Sequence, residues 1–181
     1  MRRPAERPLA TVNFTRLPDG FTSKEKKHRI ITMAIEKTLV LIKPDGRKRR
    51  ITGLAIDKLE ATGLELVAAR VVRVTEKLAQ EHYKEHAAQP FFNAIVRYLA
   101  GETHAIAHGR LLAMVWEGED AIAAVRRAAG ATDPEKAAPG TIRGCFGRKC
   151  AGLMENVVHA SSNPSDAARE IALWFAPSDI A

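Results

Sequence analysis

The sequence predicts an α/β fold, a ferredoxin-like sandwich in which a four-stranded antiparallel sheet is covered by helices on one face. Three observations lead there. Apolar runs of strand length alternate with segments of helical period in the order β-α-β-α-α-β-α-loop-β-α. The chain has 181 residues, of which 46% are hydrophobic and 27% charged, enough for one domain with an appendage and too few for two full-sized enzyme domains. The periodic pattern begins only near Thr38, so residues 33–181 are expected to form the domain and residues 1–32 a basic, disordered N-terminal extension.

Leu39, Val40, Leu41 and Ile42 are branched and apolar and are followed by Pro44 and Gly46, which reads as a buried strand ending in a turn. Ile51, Ala55 and Leu59 recur at helical spacing, and Gly63 stands where a left-handed C-terminal cap belongs. From Leu64 to Val74 an alternating pattern places Leu64, Leu66, Ala68, Val72 and Val74 on one face of a second strand. Thr75 can cap the next helix, and Phe91, Ile95 and Leu99 form one stripe of another. Leu111 to Trp116 reads as a third strand, and Ile122, Val125 and Ala129 mark a helix closed by Gly130. Ala131 to Gly144, with two prolines and two glycines and no period, reads as a long loop, a kind usually functional inside compact domains. Asn156 to Val158 suggests a short fourth strand. Asn163 with Pro164 opens a last helix through Ala168, Ile171 and Trp174.

A net charge of +7 raises the possibility of a nucleic-acid partner. Residues 1–32 carry eight Lys and Arg against three Asp and Glu, however, which leaves only about +2 for the rest, and no strand shows the aromatic-rich stacking signature of an RNA-binding sheet. Nucleic acid is therefore not required as a partner. Cys145 and Cys150 are too few for a disulfide framework and lack a second pair at zinc-ligand spacing, so both are expected to be reduced thiols. No apolar run approaches the roughly 18 residues of a membrane span, and the N-terminus shows no signal-peptide core. The expected location is cytoplasmic, with no membrane partner.

Neither a Walker-type loop nor a dinucleotide-binding glycine fingerprint is present, so a phosphate site must be built from side chains. Lys43 at the end of the first strand, Arg126 on a helix, and Thr132 and Arg143 in the long loop are the candidates; singly, each reads more readily as a solvated surface residue. His159 follows an apolar strand and stands just before a helix N-terminus, where an anion such as a phosphoryl group is favoured. It can be a phosphate nucleophile, although spacing alone favours a hydrogen-bonded histidine at a strand end. His82 with His86, and His104 with His108, share i,i+4 spacing but lack an evident third metal ligand, and read as structural or surface residues.

Seven ordered motifs resemble the nucleoside diphosphate kinase family. They are Lys37 to Gly46; Glu81-His82-Tyr83 with Pro90-Phe91-Phe92; Met114 to Gly118; Gly130 to Pro134; Pro139 to Gly144; Asn156 to Ser161; and Arg169 to Phe175, covering about residues 34–175. The resemblance implies a ping-pong transfer of the γ-phosphoryl group of a nucleoside triphosphate to a nucleoside diphosphate through a phosphohistidine. Carried over by position, His159 is the nucleophile, attacking through Nδ1. Asn156, Ser161 and Glu170 orient it or contact the transferring group. Lys43, Arg126, Thr132 and Arg143 hold phosphates with Tyr83 nearby, and Phe91 stacks on the base beside Ile95. Mg²⁺ arrives with the nucleotide rather than in a site of the protein's own, and a homo-oligomer is expected. Such an assignment suits phosphoryl transfer, whose loose transition state calls for positioning and cationic stabilisation.

The sequence departs from the family pattern at Cys145, where an acidic residue is usual, at Glu155, where an Arg is usual, and at Ser162, where an Asp is usual. It is also longer than compact members between Tyr98 and Leu111 and between Arg143 and Asn156. A non-catalytic nucleotide-binding module on the same fold is the main rival reading, and loss of the histidine would be its simplest mark; His159 is present.

Overall fold

The computed structural model describes residues 35–106, 109–150 and 153–180, so the expected extension 1–32 lies outside the described residues. Its first strand, β1 (Ile35–Ile42), is followed by α1 (Pro44–Lys48), α2 (Thr52–Glu60) and β2 (Glu65–Arg73). Then come α3 (Glu76–His82), α4 (Phe92–Leu99), β3 (Arg110–Glu119), α5 (Ala121–Ala129) and α6 (Ile142–Phe146). A small hairpin of β4 (Arg148–Cys150) and β5 (Leu153–Glu155) leads to β6 (Val158–Ala160) and α7 (Pro164–Trp174). The main sheet has the order β2-β3-β1-β6 with every neighbouring pair antiparallel, which is the predicted ferredoxin-like arrangement.

Helices cover both faces of the sheet, not one. Leu39 and Leu41 pack with Ala79 of α3, Val96 and Leu99 of α4 and Trp174 of α7. Val40 and Ile42 point the other way, against Ala55 and Leu59 of α2, Val125 and Ala129 of α5 and Ile142 of α6. A strand buried on both faces has no polar side, and this is why Leu39 to Ile42 is continuously apolar. All four are fully buried, each worth about 1.5–3 kcal/mol by area.

Local departures from the predicted elements have identifiable causes. The turn after Ile42 is the short helix α1, because Pro44 at its first position needs no amide partner and starts the helix. The alternation predicted for β2 breaks at a bulge: Leu66 pairs Trp116 and Ala68 pairs Val115, leaving Val67 as the extra residue. Leu64 and Leu66 therefore face the α2–α5 layer, while Ala68, Val72 and Val74 face the α3–α4–α7 layer. The end of the expected long loop winds into α6, whose Thr141 side chain accepts from the Gly144 amide. The fourth strand begins at Val158 rather than Asn156, and the reason for that shift lies in the site. Caps predicted at Thr75 and Asn163 are present, each accepting an amide three residues on.

Candidate active site

Two strand ends bring the site together. β6 lies beside β1 with His159 opposite Leu41, and Lys43 follows β1 directly, its amide donating to the Val157 carbonyl at 2.8 Å. Between Asn156 and Val158 the chain makes a three-residue γ-turn. The Val158 amide donates back to the Asn156 carbonyl at 2.7 Å, and Val157 takes a φ of 68°, a strained conformation for a β-branched residue. The turn is clamped from outside. Asp45 Oδ2 accepts the Val157 amide at 2.9 Å, Asp45 Oδ1 accepts the Tyr98 hydroxyl, and Gly46 passes so close that a β-carbon there would meet Val157 Cγ1 at 3.1 Å. This turn delays the fourth strand by two residues, and it aims Asn156 and His159 together.

Glu170 on α7 fixes the state of His159. Its Oε2 lies 2.9 Å from His159 Nε2 and accepts the Ser161 hydroxyl at 2.7 Å, while Ser161 Oγ accepts the Leu39 amide at 3.2 Å. Burial alone would raise the Glu170 pKa, but the hydrogen bond and charge of His159, the Ser161 hydroxyl and the nearby Arg169 outweigh it and hold the carboxyl below its ordinary range. An ionised carboxylate only accepts, so His159 Nε2 carries a proton, and in the neutral imidazole it is Nδ1 that presents its lone pair.

His82, read from spacing as structural or surface, belongs to this site. Its ring meets that of His159 at 4.4 Å and 79°, and the Trp174 indole, which can only donate, donates to His82 Nδ1 at 3.2 Å. Burial, then the charge of His159, pushes the His82 pKa well below the usual histidine value. His82 is thus neutral with its proton on Nε2, an atom that is buried without a hydrogen-bond partner among the described residues. His82, His159 and Glu170 place potential ligand atoms within 4.8 Å of one another. The proton that Trp174 forces onto His82 Nε2 occupies the lone pair a metal ion would need there.

From His159 a line of rings runs outward: His82 to Tyr83 at 4.7 Å, Tyr83 to His86 at 6.2 Å, and His86 to Phe91 at 5.8 Å. Phe91, the N-cap of α4, is 47% exposed and offers an aromatic face at the surface, with half-buried Ile95 one turn on. Burial raises the Tyr83 hydroxyl above its ordinary pKa, so it stays a neutral donor.

Two of the cations, Lys43 and Arg143, are set around the γ-turn. Lys43 Nζ donates to Asn156 Oδ1 at 2.8 Å and lies 4.6 Å from the Tyr98 ring centroid, and Asn156 Nδ2 donates to the Thr132 carbonyl at 2.9 Å. Burial lowers the Lys43 pKa to about 8, with Asp45 opposing the shift and Arg143 adding to it. Arg143 on α6 donates to the carbonyls of Gly130 (2.8 Å) and Val158 (2.9 Å), and its Nε has no partner among the described residues. Burial, then the charge of Arg126, lowers its pKa to about 10. Arg126 itself is exposed on α5 and lines a cleft of about 560 Å³ with Arg127, Ser162 and Asn163. Thr132 is exposed beside the Asn156 contact.

The family model for nucleoside diphosphate kinase matches residues 36–180. The chain belongs to the nucleoside diphosphate kinase family. Its reaction is accordingly phosphoryl transfer between nucleotides. The nucleoside diphosphate kinase of Mycolicibacterium smegmatis is 48% identical over 141 residues, covering 77% of this chain and 94% of the relative. That of Archaeoglobus fulgidus is 45% identical over 146 residues, 81% and 90% of the two chains. Among solved structures, the Borrelia burgdorferi nucleoside diphosphate kinase, a transition-state mimic with bound vanadate and ADP, superposes with a TM-score of 0.73 at 35% identity, covering 83% of this chain and 92% of that one. A halophilic nucleoside diphosphate kinase from Halobacterium salinarum in complex with CDP gives 0.72 at 40% identity, covering 82% and 92%.

Proposed function

We propose that His159 is the nucleophile of a two-step nucleoside diphosphate kinase reaction. Its Nδ1 lone pair attacks the γ-phosphorus of a nucleoside triphosphate. A P–N bond forms as the bond to the β–γ bridging oxygen breaks, and the nucleoside diphosphate leaves. A second nucleoside diphosphate then attacks the phosphohistidine through its terminal phosphate oxygen, restoring His159. One observation carries this reading above the others: the Glu170 carboxylate on Nε2 leaves the lone pair on Nδ1 and favours the positive charge that develops on the ring.

Lys43, Arg143, Arg126 and Thr132 hold the phosphates, Asn156 steers Lys43, Ser161 steers Glu170, and Tyr83 lines the path. Phe91 with Ile95 takes the base by stacking, which tolerates every base because each has a π-face. Vanadate and ADP in the Borrelia relative and CDP in the Halobacterium relative support both the transfer and the nucleotide class. Asp45, Glu170 and Asp133 are committed to protein partners, so no free carboxylate among them offers Mg²⁺ a site. This fits an ion that enters on the nucleotide with its own waters and, when bound, neutralises phosphate charge. Two exposed free thiols suit a reducing cytoplasm. Val71, 57% exposed on the edge strand β2, suits a homo-oligomer.

The test is to mix the enzyme with a γ-labelled nucleoside triphosphate and no acceptor. Label should remain on the protein, be lost in acid and survive in base, and pass to any added nucleoside diphosphate. His159→Ala should abolish labelling. Label that persists in that variant assigns the nucleophile elsewhere, and a protein that binds nucleotide but never labels is a non-catalytic module.

A further inference from the structure

The geometry points to Glu155 as a positioning residue for Lys43, held in place by the segment after α4 and by the β4–β5 hairpin. Glu155 does not face the nucleophile. Its carboxylate is 7% exposed and is gripped from both sides: Oε1 lies 2.8 Å from His104 Nε2, in the segment after α4, and Oε2 accepts from Arg148 Nε at 2.6 Å, across the β4–β5 hairpin. Burial alone would raise the carboxyl pKa; hydrogen bonds from Arg148 and His104 reverse that and keep the group ionised.

Both groups that touch the Lys43 ammonium are braced by this carboxylate. The first is Asn156, next in the chain, whose side chain accepts from Lys43 and is pinned to the Thr132 carbonyl. The second is Tyr98, whose ring lies against Lys43 and is met edge-on by the His104 ring at 5.0 Å and 84°. The His104 carbonyl is held in turn by Lys48 Nζ at 2.9 Å, and the hairpin by Lys149 on Asp133 and Glu135. Removing the carboxylate loosens the peptide before the γ-turn and the edge of Tyr98 together, and the ammonium loses both constraints. Lys43 is mobile by nature, a point charge on a four-carbon stem, so its placement depends on such walls.

This inference rests on the proposed role of Lys43 in holding phosphate, and a double-mutant cycle separates the two. Measured with magnesium nucleotides on the full chain, Glu155→Gln should lower kcat/KM about tenfold in the parent but less than about twofold in a Lys43→Ala background, because an effect exerted through Lys43 vanishes once the ammonium is gone. Equal losses in both backgrounds would show that Glu155 supports the fold generally, and no loss in the parent would show that it positions nothing; either overturns the inference. If Lys43→Ala keeps the parent kcat/KM, the phosphate role of Lys43 fails and the inference falls with it. A damaged Lys43→Ala beside an unaffected Glu155→Gln overturns the inference alone. Should Glu155→Gln fold poorly, Glu155→Asp or the paired change His104→Ala with Arg148→Ala supplies the same cycle and is read in the same way.

Discussion

In the proposed role Lys43 must be charged to hold phosphate, and its burial weakens its hold on the proton. Burial lowers its pKa to about 8, so kcat/KM, which reports the free enzyme, should fall as pH rises through that value. Bound phosphate stabilises the ammonium, so the corresponding fall in kcat should come at higher pH. Stability moves the opposite way. Between about 8 and the ordinary value of 10.5 the unfolded chain binds more protons at this residue than the folded one, so its contribution to stability grows with pH across that window. Parallel pH profiles of kcat/KM and of melting temperature check both, and a kcat/KM profile flat through this range contradicts the assignment. Lys43, His159 and Arg143 were singled out by the family resemblance, since spacing alone favoured a surface role for the two cations and a structural one for the histidine. His82 was not, because its role depends on Trp174, 92 positions away, which alone decides where the imidazole proton sits. Glu155 was visible only as a departure, and its partners His104 and Arg148 become partners only once the segment after α4 and the β4–β5 hairpin fold against it.

At the level of elements, α6 exists to deliver Arg143, and two glycines before it test how it is held. Gly130 has φ 84° and sits so close to Thr141 that a β-carbon would stand 2.8 Å from Thr141 Cβ and closer still to its cap oxygen. Gly140 has φ 88° with nothing within 4 Å of the same added atom. Gly140→Ala should therefore lose about 1–2 kcal/mol of stability from backbone strain alone. Gly130, with ψ 179°, lies in a backbone region that is essentially glycine's alone, so Gly130→Ala should lose about 1–3 kcal/mol from that strain and about 1–3 kcal/mol more from the collision, with a further fall in turnover because the Gly130 carbonyl and the Thr141 cap both steady Arg143. Denaturant unfolding of the two variants checks the difference; equal losses would mean that the Gly130 backbone relaxes and Thr141 moves aside freely. Elements with regular periodicity, β1, α5 and α7, followed directly from the sequence. Those it hid break a period. The Val67 bulge switches faces without any glycine or proline to mark it. The γ-turn puts positive φ on a valine, a residue that discourages it, and tertiary clamps from Asp45 and Tyr98 override local preference.

For the whole molecule, both apolar clusters, among the described residues, are built from positions 39–180 of the sheet and its two helical layers. No helix among the described residues is long and apolar enough to cross a membrane. β1 pairs β3 along its full length, and α7 is seated on the sheet through Trp174. The first 32 residues add charge rather than apolar periodicity: eight basic side chains against three acidic ones. We therefore expect a chain beginning at Met33 to fold, to melt within a few degrees of the full chain and to keep its kcat/KM, since sequence outside the buried core contributes little to cooperative stability. What should change is charge. With the net value reduced from +7 to about +2, the shortened protein should leave a cation exchanger at lower salt and bind polyanions less tightly. A large fall in melting temperature or turnover on truncation would place residues 1–32 within the domain or its assembly, whereas unchanged catalysis with weakened polyanion binding assigns them to electrostatic attachment alone.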